Sequence, residues 1–184
     1  MRRVVRLGRR RSAWESPTAR EIAEVEFRDR NSDGLDLRPS VYLVSADDEV
    51  SLRALVVRVC AEHWATFISP PRPGIAGPVL DAEGASPAAV LPSPGETHFS
   101  YANAVHAELH LDDEAGLMHL VAVLKAELAT RDLAVLGSEA LIYVAERLKV
   151  SDQEWAAVLD RGWVAAATAY QNRLAREAAA RGRR

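Results

Sequence analysis

Residues 47–63 read DDEVSLRALVVRVCAEH, and residues 112–128 read DDEAGLMHLVAVLKAEL. At an offset of 65 residues, eight of the seventeen aligned positions are identical. In each stretch apolar residues recur at steps of three and four, which is the spacing of an amphipathic helix. Acidic residues lie at the start of each stretch, where the helix dipole favours negative charge. The sequence therefore predicts two related amphipathic helices.

A strand is predicted before each of these helices. Residues 39–44 are rich in β-branched and aromatic side chains, and residues 97–111 alternate apolar and polar side chains as in a half-buried strand. The second strand is long enough to bend or break near Ala102-Asn103. Further helices are predicted at 138–148 and at 151–176. We therefore predict an α+β fold: a two-layer sandwich in which a small sheet is packed by the two amphipathic helices of repeated strand-helix units. A C-terminal helical hairpin follows.

The chain of 184 residues is 48% hydrophobic, which suits a single domain with its own core. We expect a flexible basic arm at 1–15, a single α+β domain at 16–176 and a basic tail at 177–184. Within the domain, residues 69–95 contain seven of the nine prolines and predict an irregular loop. Residues 138–176 are expected to form the helical hairpin.

One short segment allows two interpretations. Thr18 and Glu21 have the spacing of a capping box, which predicts the start of a helix. The apolar residues from Ile22 to Phe27 also suit a strand. The sequence leaves open whether residues 16–28 form a helix or a strand.

Charge is distributed unevenly along the chain. Residues 1–11 contain six arginines and no acid, and residues 173–184 contain five arginines and one glutamate. The intervening body has 12 basic and 25 acidic side chains, a net charge of −13. The basic ends are expected to contact acidic partners, either proteins or the phosphates of nucleic acids.

Several classes of protein are excluded. The single cysteine, Cys60, excludes an intramolecular disulfide and a cysteine-rich zinc site. No apolar stretch is long enough to span a bilayer, and no apolar run follows the N-terminal arginines as in a secretion signal. We expect a cytoplasmic protein with no membrane partner.

The segment His106-Ala-Glu108-Leu-His110 is the strongest candidate for chemistry. On a strand its three polar side chains share one face, with neighbours about 7 Å apart. Either His106 with Glu108 or Glu108 with His110 could bind a divalent transition metal if His98, His63 or Asp112 completed the site. A solvated polar strand face is the alternative. We predict no cofactor, and a bound divalent transition metal is the alternative prediction.

Residues 144–159 resemble a helix-turn-helix motif over about sixteen positions. Lys149 stands where the turn glycine usually lies, and the second helix begins with Asp152-Gln153-Glu154. Acidic side chains at that position would repel the phosphates of a DNA groove. We therefore interpret this segment as a capped helical hairpin.

Three functions follow from these patterns. The first is a non-enzymatic accessory or protein-interaction domain that self-associates, through Trp163, Tyr170, Arg173 and Arg176 of the terminal helix, because aromatic residues and arginine are enriched at interfaces. The second is a metal-dependent enzyme on the histidine-bearing strand. The third is non-specific nucleic-acid binding through phosphate contacts of the N-terminal arginines: Arg2, Arg3, Arg6, Arg9, Arg10 and Arg11.

Overall fold

The elements of the chain are seen in a computed structural model. It describes residues 2–8, 11–29, 32–66, 79–81, 88–95, 97, 99–130, 137–150, 153–158 and 162–182. In these ranges the strands and helices are β1 Arg2–Val5, α1 Arg11–Trp14, α2 Ala19–Glu26, β2 Ser40–Ser45, α3 Glu49–Thr66, β3 Val79–Asp81, β4 Ala89–Pro92, α4 Ser100–Val105, β5 His106–His110, α5 Glu114–Thr130, α6 Gly137–Lys149, α7 Gln153–Val158 and α8 Trp163–Arg181.

The described strands form one antiparallel sheet in the order β3-β1-β2-β5-β4. Tyr42 of β2 lies opposite His106 of β5, and Val41 lies opposite Ala107. Since successive side chains of a strand point to opposite faces, Tyr42 and His106 share one face of the sheet. Val41 and Ala107 share the other face.

Helices cover both faces of this sheet. Buried residues of α3, α6 and α8 pack with Tyr42 and Val44 of β2, whereas buried residues of α2 and α5 pack with Ala107 and Leu109 of β5. The α+β class and the C-terminal hairpin, in which α6 packs on α8, are confirmed. The two helices that begin with Asp-Asp-Glu lie on opposite faces of the sheet. Helix α3 packs on the face that contains Tyr42 and Val44, and α5 packs on the face that contains Ala107 and Leu109. The sheet therefore lies between two helical layers rather than in a two-layer sandwich.

The acidic residues before α3 and α5 cap those helices. Asp48 accepts a hydrogen bond from the backbone N–H of Ser51, and Asp113 accepts one from that of Gly116, each at 2.8 Å. These bonds satisfy N–H groups that the first helical turn leaves without partners. Because β2 and β5 are antiparallel, the two acidic starts lie at opposite ends of the sheet.

The segment left open at 16–28 contains a helix, α2 at Ala19–Glu26. The hydroxyl of Thr18 accepts from the backbone N–H of Glu21, and the carboxylate of Glu21 accepts from the backbone N–H of Thr18. This reciprocal pair is a complete capping box. The helix buries Ile22 and Ala23 against α5.

The N-terminal segment differs from the predicted flexible arm. β1 lies between β2 and β3 in the sheet, and its Val4 and Val5 are buried in the cores on opposite faces. The arm prediction was wrong for residues 2–8 and 11–14, because it weighted the arginines above the two valines between them. α1 also buries Trp14 in the core of α2 and α5.

Two other segments depart from their predicted form. The stretch at 97–111, predicted as a strand that bends or breaks near Ala102-Asn103, contains the helix α4 and then β5. The Asn103 side chain accepts hydrogen bonds from both the backbone N–H and the hydroxyl of Thr97 at this point. The proline-rich loop contains β3 and β4, which form the two edges of the sheet. Residues 69–78 and 82–87 of that loop lie outside the described ranges.

The terminal helical segment is divided into α7 and α8. Gly162 precedes α8 with a φ of 93°, a left-handed conformation that favours glycine. In α7, Trp155 is buried, and Glu154 accepts a hydrogen bond from the backbone N–H of Ser100 at 3.3 Å. The acidic residue at the position of a DNA-reading helix thus contacts the body of the protein itself.

Candidate functional site

The three polar residues of β5 lie on one face of the sheet. His106, Glu108 and His110 are each half-buried, and they alternate with buried Ala107 and Leu109. The Nε2 of His110 lies 3.5 Å from the Oε2 of Glu108. The strand alternation alone was sufficient to predict this shared face.

His106 is held from two sides. Its Nδ1–H donates a hydrogen bond to the backbone carbonyl of Ser93, which follows β4. Its ring also lies edge-on to the ring of Tyr42, with centroids 5.6 Å apart. Gly95 lies directly against this side chain, because a Cβ at that position would come within 3.3 Å of the Cβ of His106. The imidazole therefore has a defined orientation on the sheet face.

A second histidine contacts the same tyrosine. The hydroxyl of Tyr42 lies 2.5 Å from the Nδ1 of His63, which belongs to α3. Burial raises the pKa of Tyr42 far above its usual value, so the phenol stays protonated at neutral pH. The tyrosine thus connects a histidine of the helical layer with a histidine of the sheet.

These side chains do not make a complete metal site within the described part of the chain. No group of three histidine, cysteine, aspartate or glutamate side chains is placed there to hold one ion. His98, which could complete the set, lies outside the described ranges. His106, Glu108 and His110 therefore remain candidate metal ligands, but the described residues do not complete a site around them.

Sequence reasoning missed a buried carboxylate on α3. The side chain of Glu62 is 1% exposed, pairs with the Nε of Arg58 at 2.7 Å and accepts from the backbone N–H of Ala102 at 2.9 Å. Burial raises the pKa of Glu62, while Arg58 opposes that rise. The Arg58 guanidinium also lies over the ring of Tyr101, 3.9 Å from its centroid. The spacing of Arg58 and Glu62 by four helical positions was the available signal.

Most N-terminal arginines proposed as phosphate contacts are not free arm residues. Arg2 is exposed and Arg3 is half-buried, both on β1, and Arg11 begins α1. Arg9 and Arg10 lie outside the described ranges.

Arg6 has a defined structural role. Its guanidinium donates to the carbonyl of Ser40 at 2.6 Å and to that of Glu26 at 2.9 Å, and it lies over the ring of Phe27. A cation at this position compensates the partial negative charge of the C-terminal end of α2. Arg6 therefore stabilises the fold.

The four interaction candidates of α8 divide into two groups. Trp163 is 1% exposed and packs in the core beneath α3 and α6, so its surface is not available to a partner. Tyr170 is half-buried, whereas Arg173 and Arg176 are exposed. The guanidinium of Arg173 lies over the ring of Tyr170, and its Nε is 3.7 Å from the carboxylate of Glu177.

The end of α8 extends away from the body of the protein. All residues at 172–182 are exposed, on every side of the helix, and this segment is called the projecting end below. At 1.5 Å per residue it is about 16 Å long. None of its side chains is fully buried on its own domain, and the large apolar side chain Leu174 is partly covered at 37% exposure.

No protein-family model, curated protein or solved structure matches the chain. None of the helices, within the described ranges, is long and apolar enough to cross a membrane. The function is therefore inferred from the geometry and charge of the chain itself.

Proposed function

We propose that the chain is a non-enzymatic protein-interaction domain that binds an acidic protein surface through the projecting end of α8. The observation that carries this proposal is the exposure of every residue at 172–182 in a helix whose preceding turns are packed. A helical segment that is exposed on all sides gains little from packing on its own domain, so a partner is the simplest reason for its length.

The charge of the projecting end selects the class of partner. In its described part Arg173, Arg176 and Arg181 oppose only Glu177. Arg176 and Arg181 make no ion pair with any described residue, so their charge is available. Exposed Leu174 lies between the first two arginines in sequence. A basic helix with an apolar side chain suits an acidic protein surface that also offers an apolar contact.

Nucleic acid is less well supported as the partner. The arginine count at 1–11 favours it, but β1 lies inside the sheet and Arg6 is hydrogen-bonded within the fold. The body also has a net charge of −13, which repels phosphates. A nucleic-acid partner is therefore an outcome that the test must distinguish.

Photo-crosslinking in the cells that encode the chain tests this proposal. A benzoylphenylalanine in place of exposed Ala175 is expected to capture a protein, and the same group in place of exposed Val25 on α2 is the matched control. The adduct at position 175 should disappear when Arg173→Glu and Arg176→Glu are added. An adduct that nuclease removes, an equal adduct from position 25, or no adduct at all contradicts the proposal.

A metal-dependent enzyme is the second candidate. The observation in its favour is the bond from the Nδ1–H of His106 to the Ser93 carbonyl, since metal-binding histidines usually donate their other ring N–H in this way. This candidate requires stoichiometric zinc or manganese in the purified protein, lost in His106→Ala and kept in His119→Ala, an exposed position on α5. Metal-free protein without a thermal shift on adding zinc would contradict it.

A further inference from the structure

Two arginines and two tyrosines form a cluster where α3 packs against α4 and α6. The guanidinium of Arg58 on α3 lies over the ring of Tyr101 on α4, 3.9 Å from its centroid. The guanidinium of Arg147 on α6 lies over the ring of Tyr143, 5.0 Å from its centroid. All four side chains are half-buried, so the cluster is reachable from solvent. It is called the arginine–tyrosine cluster below.

The two arginine–tyrosine pairs are neighbours. Burial raises the pKa of the Tyr143 hydroxyl, and the charges of both Arg58 and Arg147 oppose that rise. Burial also raises the pKa of Tyr101, and Arg58 again opposes the rise. The charge of Arg58 therefore acts on both hydroxyls, and Tyr143 is a common neighbour of the two guanidinium groups.

The cluster has hydrogen-bond donors that the fold leaves unused. Arg58 donates through Nε to the carboxylate of Glu62, and no described residue accepts from its two terminal nitrogens. Arg147 makes no ion pair with a described residue, and the Tyr101 hydroxyl makes no hydrogen bond with one. A guanidinium group offers N–H donors in a fixed plane that matches the oxygens of a carboxylate or a phosphate.

We propose that the arginine–tyrosine cluster is a binding site for a phosphate group. Two guanidinium groups and two hydroxyls can donate to more oxygen atoms than the two that a carboxylate has. A phosphate group has three or more acceptor oxygens and a negative charge, so it can accept from both arginines at once. The site is separate from the projecting end, and the proposed function does not depend on it.

The donors of this site are oriented before a ligand binds. Arg58 is held at Nε by Glu62, at 2.7 Å, and on one face by the ring of Tyr101. Tyr143 lies edge-on to the buried ring of Trp155, with centroids 5.9 Å apart. Side chains that are already ordered lose less conformational freedom on binding, which favours affinity.

The acidic side chains beside the cluster bond to the backbone of α4. Glu62 accepts from the N–H of Ala102 as well as from Arg58, and Glu154 accepts from the N–H of Ser100. These N–H groups belong to the first turn of α4, which has no partners for them within the helix. Glu62 is 1% exposed, so an anion from solvent meets the guanidinium of Arg58 rather than this carboxylate.

Titration of the full chain with inorganic phosphate at low ionic strength tests the proposal. Calorimetry should show one saturable site per chain. Arg147→Met should weaken binding at least about tenfold, because it removes a charged hydrogen-bonding group. Tyr143→Phe, which retains the ring, should weaken binding about fivefold. Phenyl phosphate in a parallel titration distinguishes the source of the group, since tighter binding of the ester identifies a phosphomonoester and tighter binding of the ion identifies free phosphate.

Arg28→Met is the matched control, because it removes the same charge from an exposed arginine that follows α2. Its affinity for phosphate should equal that of the wild type. Thermal melting of each variant without phosphate separates loss of the site from loss of the fold, and Tyr143→Phe serves as the test if Arg147→Met does not fold. No saturable binding of either probe, equal weakening by Arg28→Met, or wild-type affinity in the folded cluster variants overturns the proposal.

Discussion

The hydroxyl of Tyr42 lies 2.5 Å from the Nδ1 of His63, and this bond joins the central strand β2 to α3. Tyr42 is 3% exposed, and its ring also contacts His106 of the neighbouring strand. The bond therefore connects the helical layer of α3 with the two strands at the middle of the sheet.

Removing this hydroxyl should destabilise the fold. We expect Tyr42→Phe to lower the free energy of unfolding by about 1 kcal/mol, because it removes the hydroxyl that bonds to the half-buried imidazole of His63. Denaturant unfolding measures the change. Tyr101→Phe is the control, since the Tyr101 hydroxyl makes no hydrogen bond with a described residue. Equal effects of the two substitutions would contradict the role given to the bond.

Cys60 should make the protein sensitive to alkaline pH. Burial raises the pKa of its thiol to about 12 from an ordinary value of 9.0. Between pH 9 and 12 the thiol of the unfolded chain ionises while that of the folded chain stays protonated. The free energy of unfolding therefore falls as pH rises, by up to about 1.4 kcal/mol per pH unit for this group. We expect Cys60→Ala to have a shallower loss of stability between pH 9 and 12, measured by urea unfolding. An unchanged slope would show that the thiol ionises without unfolding.

Breaking the Arg58–Glu62 pair should be costly and pH-dependent. Arg58→Met leaves the buried carboxylate without its cation, and we expect a loss of about 1–3 kcal/mol at neutral pH, less than for a fully buried pair because Arg58 is partly exposed. The pKa of Glu62, already raised by burial, should rise further. A raised pKa means that Glu62 becomes protonated in the folded state as pH falls, which removes its unpaired charge. The difference in the free energy of unfolding between Arg58→Met and wild type should therefore become smaller at lower pH.

Arg53→Met is the comparison for that prediction. Arg53 and Glu139 form a pair whose side chains are 36% and 35% exposed, so water can solvate the remaining carboxylate. Its loss should cost about 1 kcal/mol or less and vary little with pH. A larger effect for Arg53→Met than for Arg58→Met would contradict the importance assigned to the buried carboxylate.

The projecting end should be dispensable for folding. Deletion of residues 172–184 removes exposed side chains throughout its described part, so we expect a melting temperature close to that of the full chain. The same deletion should abolish binding of the acidic protein partner in a pull-down with the tagged chain. A large fall in melting temperature at low protein concentration would show that the segment stabilises its own domain.

Local patterns in the sequence were sufficient for most helices and for part of the site. The three-and-four spacing of apolar residues predicted α3 and α5, and the alternation around Glu108 placed it with His106 and His110 on one face. Thr18 and Glu21 pointed to the capping box that the structure contains. Each of these signals acts within a few residues of the chain.

Features that depend on distant partners could not be predicted in this way. Val4 and Val5 form a strand because β2 and β3 pair with it, and the two valines alone are too short a signal beside six arginines. The opposite placement of α3 and α5 follows from the register of Tyr42 with His106, which no local pattern specifies. The burial of Glu62 likewise depends on Ala102, forty positions away.

Photo-crosslinking from the projecting end tests the central claim most directly. A benzoylphenylalanine in place of exposed Ala175 is predicted to capture a protein, whereas the same group in place of exposed Val25 on α2 is not. The capture from position 175 should be lost when Arg173→Glu and Arg176→Glu are added. No adduct from position 175, an adduct that nuclease removes, or an equal adduct from position 25 would contradict the proposal that the projecting end binds an acidic protein surface.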